Sequence, residues 1–169
     1  QIDIVTLYYA ANTTNWVLDK PLHITTTQRY KAESNIVNGE FFAFYPSEHP
    51  NYTQLQTRAH YPDNNISDSL ATRSDFEYDV YGNMISNTFS APKYQPLLGS
   101  RKQTWLFDAA YQHRFPTTYK NALNDESTTS YDPVYGYAIK MVNANLNETT
   151  NNLHPLGIET KTVLSDGNM

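Results

Sequence analysis

Three aspartates in this chain follow an aromatic residue, at Tyr78-Asp79, Phe107-Asp108 and Tyr131-Asp132. Paired carboxylates are what acid/base hydrolysis requires, one donating a proton while the other activates water or attacks. The same residues have a simpler use. An Asp side chain accepts the backbone N–H groups that follow it and so caps a tight turn. In Asp79-Val80-Tyr81-Gly82 the glycine stands where φ must turn positive, as in a type I turn closed by a left-handed residue. Asp132-Pro133 adds a residue whose fixed φ suits the next turn position. Capping accounts for each aspartate within its own segment, so no catalytic residue is assigned and the chain is read as a non-enzyme.

Other site chemistry finds no pattern. His23, His49, His60, His113 and His154 form no H-x-x-x-H spacing, and with no cysteine there is no thiolate to complete a zinc site. The six glycines form neither a nucleophile elbow nor a phosphate loop, so no cofactor is expected. A net charge of -5 removes the electrostatic basis for binding nucleic acid. No apolar run reaches the roughly 20 residues of a membrane-spanning helix, and no signal-peptide pattern is present. Asn12, Asn51, Asn65 and Asn147 each open an Asn-x-Ser/Thr triplet. In a chain this rich in Asn, Ser and Thr such triplets arise by chance, and they are not read as glycosylation sites.

The elements behind these residues are strands. Fourteen Tyr and seven Phe beside only 17% charged residues suit half-buried strands and their turns. A repeat runs through the second half. Asn121-Ala122 … Glu126-Ser127-Thr128 and Tyr131-Asp132-Pro133 recur 22 residues later as Asn143-Ala144 … Glu148-Thr149-Thr150 and Leu153-His154-Pro155, closed by Gly136 and Gly157. After Gly136, Tyr137, Ile139 and Met141 are expected on one face and Ala138, Lys140 and Val142 on the other. After Gly157, Ile158, Thr160 and Thr162 should oppose Glu159, Lys161 and Val163, and before the first turn Phe76 and Tyr78 should oppose Glu77. Asp108 is followed by no glycine, so its turn is expected to be longer or to lack a left-handed residue. His154 takes the place of an Asp. A hairpin cannot bury its apolar face alone, so consecutive hairpins should pair edge to edge into one sheet.

Tyr78-Asp79-Val80-Tyr81-Gly82-Asn83 resembles the Y-D-x-x-G-N hairpin of the YD-repeat or Rhs proteins. Arg114-Phe115-Pro116-Thr117, with Asn121-Ala122-Leu123 and Tyr131-Asp132-Pro133, is similar to a longer signature in the B components of bacterial insecticidal toxin complexes. Asn15-Trp16-Val17-Leu18, Pro21 and Thr25-Thr26-Thr27 resemble a segment that precedes the repeats. Asp125 stands near a place where the family often has a Gly-His pair. The resemblance implies a hollow β-shell that encloses a toxic C-terminal polypeptide, docks on a channel-forming component and is secreted or displayed at the cell surface.

The expected fold is therefore all-β: successive antiparallel hairpins forming a curved sheet strip, part of a larger shell. Residues 1–75 are read as a less regular β segment with an inserted loop or irregular hairpin at about 31–70, and residues 76–169 as the YD-repeat hairpins. The sequence stops in the turn signal Ser165-Asp166-Gly167-Asn168-Met169, and the chain is expected to be a fragment of something larger. Expected partners are adjacent repeats of the same polypeptide and the enclosed toxin region. The rival reading is a cell-surface adhesion or glycan-binding repeat, in which exposed Tyr and Trp stack on sugar rings. A carbohydrate-cleaving β-sandwich would need two facing carboxylates, and no such pair is named.

Overall fold

The computed structural model describes residues 2–11, 19–29, 36–62, 70–91 and 99–164. Asn12, Asn65, Asn15-Trp16-Val17-Leu18, Asp63-Asn64 and Ser165-Asp166-Gly167-Asn168-Met169 lie outside these residues. The architecture is all-β. Twelve strands run in sequence order within one sheet, each hydrogen-bonded to its neighbours in the chain. They are β1 (Ile2–Tyr8), β2 (Pro21–Gln28), β3 (Ile36–Phe44), β4 (Leu55–Tyr61), β5 (Thr72–Tyr78), β6 (Met84–Ser90), β7 (Arg101–Phe107), β8 (Pro116–Lys120), β9 (Glu126–Tyr131), β10 (Ala138–Val142), β11 (Glu148–Leu153) and β12 (Glu159–Leu164). The order starts at β1 and finishes at β12, so the sheet is open. The only helix among the described residues is a single 3-10 turn, Ala109–Tyr111. Among the described residues no helix is long and apolar enough to cross a membrane.

The residues form two compact units, 1–82 with 87–101 and 83–86 with 102–169. In the first, the stretch expected to hold an inserted loop contains β3 and β4, which pair from Gly39↔Tyr61 to Phe44↔Leu55. The unbroken run Phe41-Phe42-Ala43-Phe44 hides the strand, because residues facing both ways are half-buried and no polar alternation marks them. The hairpin tip occupies Tyr45 to Gln54, where Tyr45 N–H donates to the Gln54 carbonyl at 3.1 Å.

A regularity joins the hairpins that the repeat did not announce. In the ladders β1–β2, β3–β4, β7–β8, β9–β10 and β11–β12 the register slips at one place, the second residue of the returning strand. Leu22, Gln56, Thr117, Ile139 and Thr160 are the residues passed over, each a β-bulge. The ladders β2–β3, β4–β5, β8–β9 and β10–β11 run without a slip. The strict alternation expected after Gly136 and Gly157 is therefore broken at Ile139 and Thr160. At Thr160 the hydroxyl donates to the Asn152 carbonyl at 3.0 Å, and at Thr117 to the Leu106 carbonyl at 3.2 Å. Residues 1–75 share this plan through Leu22 and Gln56.

Two turns at the opposite strand ends, β8–β9 and β10–β11, are built on asparagine. Asn121 Oδ1 accepts the N–H groups of Leu123 and Asp125 at 2.8 and 3.0 Å. Asn143 does the same for Asn145 and Asn147 at 2.9 and 3.0 Å. Each turn needs one left-handed residue, filled by Asn124 at φ 67 and by Leu146 at φ 62. Asn tolerates that region; Leu does not. Leu146 is 82% exposed, so replacing it loses no packing. Leu146→Gly is expected to raise stability by about 0.5–1 kcal/mol in urea denaturation; an unchanged midpoint would mean that the turn does not hold this residue left-handed.

Candidate functional site

The residues singled out for chemistry all fall in hairpin tips or in the strands that meet there. Asp79 caps the β5–β6 tip: its Oδ1 accepts Tyr81 N–H at 2.9 Å while its carbonyl accepts Gly82 N–H at 3.1 Å. Asp132 caps the β9–β10 tip, with Oδ1 accepting from Val134 and Tyr135 at 2.9 and 2.8 Å. Gly136 N–H closes that turn on the Asp132 carbonyl at 2.9 Å. Gly82 and Gly136 hold φ 87 and 72, the left-handed residue the sequence called for. Asp108 and Asp132 occupy turns two strand spacings apart, roughly 10 Å. No two of the three aspartates share a turn.

The two irregular tips follow the same logic with other residues. Asp108 accepts Ala110 N–H at 2.7 Å and opens the 3-10 turn. Its tip is longer, as expected, yet it carries two left-handed residues, Gln112 at φ 54 and His113 at φ 55. His113 N–H donates back to the Asp108 carbonyl at 3.1 Å, and its ring Nδ1 bonds the Phe107 carbonyl at 3.0 Å. His154 stands in for an aspartate. Its Nδ1 accepts Leu156 N–H at 3.2 Å, and its carbonyl accepts Gly157 N–H at 2.8 Å. His49 caps in the same way, accepting Asn51 N–H at 3.1 Å. His23 and His60 lie in β2 and β4. Among the described residues no group of three or more His, Asp or Glu is placed to hold a metal ion.

What the tips do together is grip one another. In the first unit, Tyr78 O–H donates to the Leu55 carbonyl at 3.0 Å, and Tyr45 O–H donates to the Phe76 carbonyl at 2.8 Å. Asn51 Nδ2 answers to the Tyr78 carbonyl at 3.1 Å. Asn51 is buried and its amide is committed there, which leaves no room for a glycan. In the second unit, Tyr131 O–H donates to the Pro116 carbonyl at 2.9 Å, the same bond made by the tyrosine of a Tyr-Asp pair to the first residue of the strand before it. Tyr135 O–H reaches the Pro155 carbonyl at 2.6 Å, and Asn83 Nδ2 the His113 carbonyl at 2.7 Å.

The glycines receive their neighbours. A Cβ on Gly82 would lie 2.8 Å from Gln54 Nε2, and Gln54 itself donates to the Gly82 carbonyl at 3.0 Å. On Gly136 a Cβ would meet Phe115 Cζ at 2.5 Å, and on Gly157 it would meet Tyr135 Cδ1 at 2.7 Å. Phe115 is wedged there by stacking on Tyr131, with centroids 4.9 Å apart. Sequence reading missed Gln54, Phe115, Tyr135 and the turn-forming Asn121 and Asn143. The asparagines carried a signal in their shared 22-residue offset and Phe115 in the Arg114-Phe115-Pro116-Thr117 signature, but neither signal gave the contact made.

One cleft accompanies the first tips. It measures about 270 Å³ and is lined by Tyr9, Lys20, Phe44, Tyr45, Pro46 and Tyr52. The hydroxyls of Tyr9 and Tyr45 turn inward to backbone carbonyls of Phe42 and Phe76. The Lys20 ammonium lies 4.1 Å from the centre of the Phe44 ring and donates to the Thr53 carbonyl. Partial burial lowers the Lys20 ammonium below the ordinary lysine value.

No protein-family model matches the chain, and no curated protein matches it. Among solved structures it is similar to a chain of the crystal structure of TcdB2-TccC3-Cdc42, with a TM-score of 0.58 at 13% identity. That likeness covers 86% of this chain and 7% of that chain. A likeness to a chain of the crystal structure of TcdB2-TccC3 covers 96% of this chain and 11% of that one, at 10% identity and a TM-score of 0.41. At such identity the first match shows a shared fold and nothing more. The chain spans less than a tenth of that neighbour's length.

Two predictions follow from the grip between tips. Gly136→Ala combines a left-handed Cβ with a clash on Phe115, and should cost about 2 kcal/mol or more. Adding Phe115→Ala should recover the steric part only, so a double-mutant cycle that is additive would remove the clash from the account. Burial holds the phenols of Tyr78 and Tyr131 above their ordinary value. A raised folded-state value means the contribution is intact below about pH 10 and is lost as pH rises beyond it. Tyr131→Phe should lose about 1 kcal/mol at neutral pH and flatten that alkaline decline, read by chemical denaturation across pH.

Proposed function

We propose that this chain is a stretch of wall in a YD-repeat shell that encloses a toxin polypeptide, and that it acts by shape and not by catalysis. The single observation that carries the reading is the division of labour in the tips: tyrosine ties, aspartate or histidine caps, glycine receives. That arrangement commits the motif residues to extending one sheet. The fold shared with a chain of the TcdB2-TccC3-Cdc42 structure supports it. On this reading the partners are further repeats of a longer polypeptide, an enclosed C-terminal toxin and a channel-forming component, and the assembly is secreted or carried at the cell surface.

The scarcity of core is consistent with a wall. The buried apolar residues among those described are Ala59 and Ala71, at 5% and 8% exposure, and the most buried side chain is Ser86 at 2%. A sheet with so little interior has two faces open to other surfaces. The glycan-binding alternative would draw on the aromatic cleft of Tyr9, Phe44, Tyr45 and Tyr52. Against it, the Tyr9 and Tyr45 hydroxyls are already donated to backbone and offer a sugar only their ring faces.

The test uses the longer polypeptide that the proposal requires. Gly136→Ala and Gly157→Ala, which force tips apart, are expected to expose the C-terminal polypeptide to protease, while the unaltered protein protects it. Protection that survives both substitutions, in a protein shown to be altered at the tips by hydrogen exchange, would count against a wall. Saturable binding of a glycan by this chain, abolished by Tyr52→Ala, would move the reading to adhesion.

A further inference from the structure

One hairpin tip in the second unit is capped by an imidazole where its neighbour is capped by a carboxylate. The β9–β10 tip has Asp132, and the β11–β12 tip has His154. The His154 side chain is exposed, and its Nδ1 lies 3.2 Å from the Leu156 backbone nitrogen. A backbone N–H only donates, so Nδ1 must offer a lone pair and the ring must be neutral. A protonated imidazole carries hydrogen on both nitrogens and accepts nothing. His113 shows the opposite polarity: its Nδ1 meets the Phe107 carbonyl at 3.0 Å, a bond that needs the hydrogen and survives protonation. His49 accepts Asn51 N–H as His154 accepts Leu156 N–H, but its ring is stacked on Tyr45 with centroids 4.2 Å apart. An aromatic face attracts a cation, so a proton on His49 strengthens one contact as it removes another.

We propose that the β11–β12 tip is an acid-released latch on the grip between neighbouring hairpins, closed by the neutral ring of His154 and loosened when that ring takes up a proton. The loop it closes is the one the adjacent tip holds. Tyr135 O–H donates to the Pro155 carbonyl at 2.6 Å and the Tyr135 ring lies against Gly157, the two residues that flank the capped Leu156. A free histidine gains its proton at about pH 6.5 and a free carboxylate at about pH 4, so between these values a His-capped tip loosens while an Asp-capped one stays closed. The sign is fixed by the lone pair: a bond that needs the unprotonated ring contributes at neutral pH and is lost as pH falls. The titratable side chains on the elements about His154 are Asp132 and Tyr135 of the β9–β10 tip and Glu159 and Lys161 of β12. Two carboxylates against one ammonium place no net positive charge there to keep a proton off the ring. The backbone bonds from Gly157 N–H to the His154 carbonyl and from His154 N–H to the Ile158 carbonyl, both 2.8 Å, do not titrate, so the tip loosens without its strands parting. The inference rests on the caps alone and stands or falls independently of the toxin-shell reading.

Amide exchange with water, followed residue by residue by NMR on the isotope-labelled 169-residue chain, tests it. Protection is taken relative to an unstructured chain at the same pH, which removes the pH dependence of exchange itself. Between about pH 7.5 and about pH 5.5, on either side of the ordinary histidine value, protection of the Leu156 amide is expected to fall. The fall should be roughly threefold to tenfold, the size of one hydrogen bond's contribution. The Val134 and Tyr135 amides, capped by Asp132, should hold theirs. His154→Asp and His154→Asn keep an acceptor at both pH values and should abolish the fall; His154→Ala should give low protection at both. Because His154 is exposed, these substitutions remove no packing. A Leu156 amide indifferent to pH overturns the proposal. So does a fall that persists in both His154→Asp and His154→Asn, or one that extends equally to Val134.

Discussion

A sheet whose buried apolar side chains, among the described residues, are two alanines has to find its cohesion elsewhere, and the hairpin tips contribute to it. An isolated two-stranded hairpin is marginal in water. Here each tip borrows from the one beside it: a tyrosine hydroxyl on a neighbouring carbonyl, a ring or amide against a bare glycine Cα. One such hydrogen bond contributes about 0.5–1.5 kcal/mol, comparable to a favourable cross-strand pair. The sum grows with the number of neighbours, which is the energetics of a repeat array. Loss of one grip therefore weakens two hairpins at once, since the glycine that receives a ring and the residue that offers it belong to different tips.

The bulges give this cohesion a direction. Every register slip found falls at the same strand ends, at the second residue after a tip, while the Asn-capped turns at the other ends leave their ladders unbroken. A bulge bends its strand and increases local twist. A slip recurs at β2, β4, β8, β10 and β12, each time beside a hairpin tip. In two of the bulged strands the first residue, Leu55 or Pro116, also offers its carbonyl to the tyrosine two turns on.

Much of this was legible in the sequence, and the limits have physical causes. The class, the antiparallel hairpins and the turns at Asp79 and Asp132 follow from residues whose conformational demands are distinctive, above all glycine after a capping carboxylate. His154 was visible as a substitution, but that an imidazole nitrogen accepts the same N–H as a carboxylate shows only in the geometry. The Asp108 tip was expected to be longer or to lack a left-handed residue; it is longer, and its two left-handed residues, Gln112 and His113, carry no mark of positive φ in the sequence. The bulges were invisible, since Leu22, Gln56, Thr117, Ile139 and Thr160 share no side-chain chemistry. A slip in register is a property of two strands, not of one. The hairpin of β3 and β4 was left open as an inserted loop or irregular hairpin for a related reason: period two vanishes when both faces of a strand are half-covered.

The same accounting explains why residues fit for catalysis do not converge on it. Asp132 Oδ1 accepts two backbone N–H groups, and the Asp79 and Asp108 carboxylates each accept a backbone N–H within their own turns, so each is held in place by the turn it caps. Releasing any of them for chemistry would open the turn that positions it. In a molecule held together by its tips, capping and catalysis compete for the same oxygen, and the geometry is arranged for capping. Large apolar side chains also stand exposed, Val80, Val134 and Leu156 in hairpin tips and Leu106 in β7, and exposed apolar area is ordinarily found where another surface is received.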